Sequence, residues 1–153
     1  MPSSDRQWKP NVTVAAVVER NGTFLLVEEK TDDGIRYNQP AGHLETGESL
    51  IEAVIRETLE ESACDFSPEA LLGIYQYSRP GSGVTYLRFA FTGTLSSPHP
   101  GRPLDAGILR ALWMPVDEIR ACSDRHRSPL LMQCIDDYLA GRRYPLQLLY
   151  HHN

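Results

Sequence analysis

Glu57, Glu60 and Glu61 stand together in the run Ser49-Leu-Ile-Glu-Ala-Val-Ile-Arg56-Glu57-Thr-Leu-Glu60-Glu61. At about 100° per residue on a helix, the three carboxylates share roughly a third of the circumference. Like charges at that spacing cost roughly 0.2–0.5 kcal/mol per pair. They also fall toward the helix end, where the macrodipole is already negative. A chain that keeps such a cluster offers it to a cation. Oxygen-only ligands suit a hard divalent ion, Mg²⁺ or Mn²⁺, which would in turn hold a phosphate-bearing small molecule. The alternative is a solvated acidic face, which the charge pattern alone leaves equally open.

The elements that must position these groups follow from local pattern. Ser49, with Glu52 three residues on, makes a capping box and starts a helix. Ile51, Val54, Ile55, Thr58 and Leu59 form one broad stripe expected to face the core, leaving the carboxylates, with Ala53 among them, on the opposite side. Upstream, Val12 to Glu19 and Thr23 to Glu29 read as strands joined by a hairpin at Arg20-Asn21-Gly22. Thr31-Asp-Asp-Gly34 reads as a turn and Ile35 to Gln39 as extended, with Pro40 keeping Gln39 out of helical geometry.

Leu71 to Ser78, Thr85 to Leu95 and Ile108 to Trp113 read as further strands, the first two joined at Pro80-Gly-Ser-Gly83. Residues 96–103 form an exposed, proline-rich loop. Val116 to Ala121 is a short helix, and Ser128-Pro129 starts another. Its stripe is Leu130, Leu131, Cys134, Ile135, Tyr138 and Leu139, closed by Gly141. Strands and helices mixed with antiparallel hairpins give an α/β or α+β class, helices covering a mixed sheet.

The 153 residues fit one domain spanning 1–153. The net charge of −5 gives no footprint for duplex DNA or RNA, and no apolar run approaches a membrane span. The first residues lack the apolar core of a signal peptide. Cys64, Cys122 and Cys134 fit no zinc spacing and point to reduced thiols in a cytoplasmic protein. Monomer and homodimer both stay open.

Gly42, five residues, Glu48, seven residues, Arg56-Glu57, two residues and Glu60-Glu61 reproduce the spacing of the Nudix box, here residues 42–64. Thr58, Ala63 and Cys64 depart from it: Thr58 and Cys64 replace aliphatic residues and Ala63 the closing glycine. Outside the box, Asn38-Gln-Pro-Ala-Gly-His-Leu-Glu45, Arg127-Ser-Pro-Leu130 and Arg143-Tyr-Pro-Leu146 resemble the NudJ branch of bacterial Nudix phosphatases. The resemblance implies a mixed sheet between helices, a loop-helix-loop catalytic motif and Mg²⁺-dependent phosphoanhydride hydrolysis. It implies nucleoside tri- and diphosphates and the pyrimidine pyrophosphate of thiamine biosynthesis as substrates, with phosphate as product.

By the same resemblance, Glu60 and Glu61 are metal ligands and Glu57 is a ligand or the base. The carbonyl of Ala41 or Gly42 is a further ligand. Arg56 belongs to the catalytic group and pairs with Glu48 as a buttress, the alternative being direct phosphate contact. Asp105 is a further acid for the metal, against a solvated loop aspartate. Tyr37, Tyr75 and Tyr77 are candidates to stack on a ring, Arg88 to meet a phosphate and Gln39 to hydrogen-bond substrate. For the tyrosines the alternative is core packing. His43 reads as an exposed loop residue and His151 and His152 as tail. Two other functions stay open: hydrolysis of a different diphosphate, such as ADP-ribose or a dinucleoside polyphosphate, and a non-catalytic binding module. Retention of all three glutamates argues against the module.

Overall fold

A computed structural model describes residues 7–152 of the protein. The strand expected over 12–19 breaks at Val18, giving β1 (Asn11–Val17) and the two-residue β2 (Glu19–Arg20). Asn21 and Gly22 then take positive φ, 53° and 80°, and the chain returns as β3 (Thr23–Thr31). Two successive left-handed residues match the twist of the paired strands, and Asn and Gly adopt that conformation most readily. A second hairpin leads into β4 (Gly34–Asn38), and β5 (Ala41–His43) follows Pro40.

Next come α1 (Leu50–Ser62), β6 (Phe66–Ser78), β7 (Thr85–Leu95), β8 (Ile108–Pro115), α2 (Val116–Ala121) and α3 (Leu130–Leu139). β6 begins five residues before the expected Leu71. Its register against β7 shifts between Pro68 and Ala70 and again between Leu71 and Gly73. Such bulges break the period-two alternation by which a strand is read from sequence.

The strands sort into two sheets of four. The first has the order β5-β1-β7-β6, mixed because β1 and β7 run parallel. In the second, β3 lies between β8 on one side and β2 and β4 on the other. One core cluster holds Phe24, Leu26, Leu72, Leu131 and Ile135; the other holds Val14, Ala53, Val54, Leu71 and Phe91. Full burial of a side chain such as Leu131 or Ile135 stabilises by roughly 1.5–3 kcal/mol. At the open edge of the first sheet, Leu71 and Tyr144 exchange two backbone hydrogen bonds of 2.8 Å.

The acid side of α1 differs from expectation. Its buried residues are Ala53, Val54, Glu57, Thr58, Glu61 and Ser62, whereas Ile51, Ile55 and Leu59 are half-buried. The Glu57 and Glu61 carboxylates do not look outward, away from a core stripe, while Glu60 is half-buried. β5 runs along that side of the helix, so α1 is covered on two faces. Thr58 is fully buried, and its hydroxyl donates to the Val54 carbonyl at 2.7 Å. The helix ends at Ala63 with φ 62°, left-handed where the box has glycine.

Candidate active site

Ser49 sets the register of α1. Its hydroxyl accepts from the Glu52 N–H at 3.0 Å, and the Glu52 carboxylate accepts from the Ser49 N–H at 2.9 Å. The helix so started carries Glu57 onto β5 at Gly42. A Cβ built on Gly42 would meet the Glu57 carboxyl carbon at 2.0 Å. The glycine is therefore where the carboxylate has its room.

The loop before β8 supplies the third acid. The Asp105 N–H donates to the Glu60 carbonyl at 2.9 Å, tying that loop to the end of α1. Glu57, Glu60 and Asp105 then each present a carboxylate oxygen, all within 4.8 Å of one another. Three hard oxygens at that spacing fit a divalent cation. Glu61 stands outside this trio. It is buried on the cleft wall, where one oxygen accepts from the Ala41 N–H at 3.0 Å.

Burial pushes the Glu61 carboxyl up to about 8, against the pull of the Ala41 N–H. Burial also raises Glu57, opposed by Arg56, and raises Glu60, with Asp105 adding to it. Each shift reflects the cost of keeping an anion dry beside other anions.

Arg56 is the cation that faces this group. Its Nε and Nη2 grip Glu48 in a bidentate pair, and Nη2 also donates to the His43 carbonyl at 3.0 Å. Nη1 donates to Glu57 at 2.9 Å and Glu60 at 3.1 Å. One guanidinium thus joins the box loop, the helix and two of the three acids. Its pKa is raised above the usual arginine value, first by the Glu48 hydrogen bond.

A cleft of about 470 Å³ opens beside Glu57 and Glu61, lined also by Gly42, His43, Tyr77 and Arg88. Gln39 and Tyr37 lie behind the cleft, not in its lining. Gln39 is 1% exposed, with its amide spent on Arg88 and the Leu131 carbonyl. Tyr37 is buried under Arg125, which donates to its hydroxyl at 3.3 Å. The Tyr75 hydroxyl donates to Asp137 at 2.7 Å, within the core beside α3. His151 and His152 are exposed. Asn38, Arg36, Tyr86 and Thr13 line the cleft without having been singled out from sequence. The signal for Asn38 was the segment Asn38–Glu45, one of those carrying the family resemblance.

Comparison with known proteins agrees with this geometry. The NUDIX domain family matches residues 9–134. The chain is 40% identical over 142 residues to the phosphatase NudJ of Escherichia coli strain K12, covering 93% of this chain and 92% of that protein. A NUDIX hydrolase from Nitrosomonas europaea superposes with a TM-score of 0.91 at 56% identity, covering 94% of this chain and 98% of the other. A MutT NUDIX hydrolase from Burkholderia pseudomallei, 18% identical, shares the fold with a TM-score of 0.69 over 85% of this chain and 98% of its own. With the box, the acid trio and these relatives in agreement over most of its length, the chain belongs to the Nudix family and is a hydrolase acting on phosphoanhydrides.

Proposed function

We propose that this chain is a Mg²⁺-dependent phosphatase of nucleoside tri- and diphosphates that releases inorganic phosphate. Mn²⁺ is a second competent ion, and the pyrimidine pyrophosphate of thiamine biosynthesis is a further substrate. The carrying observation is the oxygen trio of Glu57, Glu60 and Asp105 beside a cleft of substrate size. Similarity to the phosphatase NudJ supports phosphate as the product. The free cysteines accord with a cytoplasmic location.

In this reading Glu57, Glu60 and Asp105 are the carboxylate ligands, and the carbonyl of Ala41 or Gly42 is a backbone ligand. A divalent cation held by these residues would supply positive charge to offset the negative charge of the phosphate oxygens. Glu61, with one oxygen anchored on Ala41, has the other for the ion or for the attacking water. Arg56 keeps Glu57 and Glu60 oriented through the box loop, with Glu48 as its anchor.

The test is phosphate and pyrophosphate release, in Mg²⁺, from nucleoside di- and triphosphates, the thiamine pyrimidine pyrophosphate, ADP-ribose and a dinucleoside polyphosphate. Glu60→Gln serves as the blank. Phosphate from both di- and triphosphates, lost in the variant, is the expected outcome. Turnover of ADP-ribose alone, or pyrophosphate from triphosphates only, would move the enzyme to another Nudix branch.

A further inference from the structure

The cleft that opens beside Glu57 and Glu61 holds a buried cation on another wall. Arg88 on β7 is 5% exposed and lines the cleft. Its Nη1 donates to the Gln39 side-chain oxygen at 3.0 Å and lies 3.8 Å from the Cys134 sulfur. Its Nη2 donates to the Asn38 side-chain oxygen at 3.1 Å. All three partners are neutral, and among the described residues no carboxylate pairs with Arg88. The rim arginines differ, since Arg79 pairs with Asp33 at 2.9 Å and Arg127 with Glu29 at 2.8 Å. Buried charges are ordinarily paired, because an uncompensated charge out of water is costly.

The neutral partners are themselves fixed. The Gln39 amide donates to the Leu131 carbonyl of α3 at 2.9 Å, and the Asn38 oxygen also accepts the Gln39 N–H at 3.0 Å. Arg88 is therefore held in one orientation without losing its charge. A guanidinium has five N–H groups. Two go to oxygens and one faces the sulfur, leaving the Nε–H and one Nη2 hydrogen for a ligand.

Register places this cation relative to the acids. Arg88 pairs with Thr13, and Thr13 pairs with His43, the neighbour of Gly42. Two strand spacings, about 10 Å, thus separate Arg88 from the strand that abuts Glu57. Arg36, in the same cleft, also lacks a carboxylate partner among the described residues. The alternation of β4 puts it on the same face as Asn38.

We propose that Arg88, seconded by Arg36, is the subsite for the phosphate that stays with the leaving group. The inference rests on the hydrolysis proposed above. There a bond forms from the water oxygen to the terminal phosphorus, and the bridging P–O bond breaks. The electron pair of that bond remains on the bridging oxygen, which departs on the leaving phosphate, while the proton of the water passes to the Glu61 oxygen not engaged by Ala41. A fixed cation beside that oxygen stabilises the charge as it grows. Asn38 and Gln39 are positioning residues, and a carboxylate at either place would cancel the charge they orient.

The experiment is calorimetric titration of the whole chain, without divalent cation, with a nucleoside monophosphate and with the bare nucleoside. Asn38→Asp keeps the shape and the accepting oxygen but adds a negative charge; Arg88→Gln removes the cation. Wild type is expected to bind the monophosphate and not the nucleoside. Both variants should lose roughly tenfold or more in affinity for the monophosphate, the scale of one lost charge-assisted bond. The melting temperature of Asn38→Asp should be unchanged or higher, with Mg²⁺ affinity as in wild type. Equal binding of nucleoside and monophosphate, no binding by wild type, or undiminished affinity in Asn38→Asp would overturn the subsite. Charge-dependent binding without turnover of any phosphoanhydride would instead leave the anion subsite standing and remove the hydrolysis reading.

Discussion

Gly42 and Glu57 share one volume: a Cβ at position 42 would lie 2.0 Å from the Glu57 carboxyl carbon and 2.1 and 2.3 Å from its oxygens. The contact falls at the far end of a flexible side chain, so Gly42→Ala should move the carboxylate and spare the backbone. Displacement of a catalytic group by about 1 Å costs on the order of 10²-fold in rate. The expected result is a fall of that size in kcat, with a loss of less than about 1 kcal/mol in unfolding free energy. A large loss of stability would show that packing, not placement, is what the glycine serves.

Asp105 is held by its own backbone, through the N–H to the Glu60 carbonyl. Asp105→Asn keeps that bond and removes only a charged ligand oxygen. Metal affinity, read by Mn²⁺ titration, should fall roughly tenfold or more while the melting temperature holds or rises, since one anion leaves a repelling cluster. Wild-type affinity in the variant would remove Asp105 from the ligand set.

Ala63 ends α1 at φ 62°, 5% exposed. A left-handed alanine costs roughly 1–2 kcal/mol. Glycine there relieves that strain but gives back about 0.4–1 kcal/mol of unfolded-state entropy and about 0.8 kcal/mol of methyl burial. The terms nearly cancel, so Ala63→Gly should change stability by less than about 1 kcal/mol. Ala63→Val, β-branched in the same conformation, should be clearly destabilising. Denaturant midpoints for the two variants decide it.

The parts of the fold that sequence foretold are those set by neighbours along the chain. Ser49 with Glu52 fixed a helix start, and Asn21-Gly22 fixed a hairpin. The first residues of β6 were hidden because its bulges erase the alternation. The outlook of the acid face was hidden for another reason: β5, which covers Glu57 and Glu61, reaches them only through tertiary packing. Asp105 reads from sequence as a further acid for the metal, but its place beside Glu57 and Glu60 likewise comes from tertiary packing. Arg88 drew notice as a cation, but its lack of a counter-ion becomes visible only once Asn38, Gln39 and Cys134 surround it.

Glu28 has its pKa held below the usual 4.5, first by the hydrogen bond from Arg110 and then by that from Arg125. A lowered folded-state pKa means that this stabilisation is complete above the unfolded value. It is lost as pH falls from about 4.5 through the folded pKa. The melting-temperature gap between wild type and Glu28→Gln should therefore be constant at neutral pH and narrow below 4.5. A gap that persists undiminished at pH 3 would mean that shape, not charge, is what the glutamate contributes.

The reciprocal bonds between Leu71 and Tyr144 close off part of a thirteen-residue strand that has no neighbour on that side within its sheet. A chain cut after Gly141 keeps α3 and every acid of the site, yet leaves that border ready to template another strand. Such a truncated enzyme also loses Leu146 and Leu149 from one core cluster, so it should melt lower, and it should self-associate as its concentration rises, which light scattering would record. The segment around Tyr144 is thus expected to set colloidal behaviour rather than chemistry.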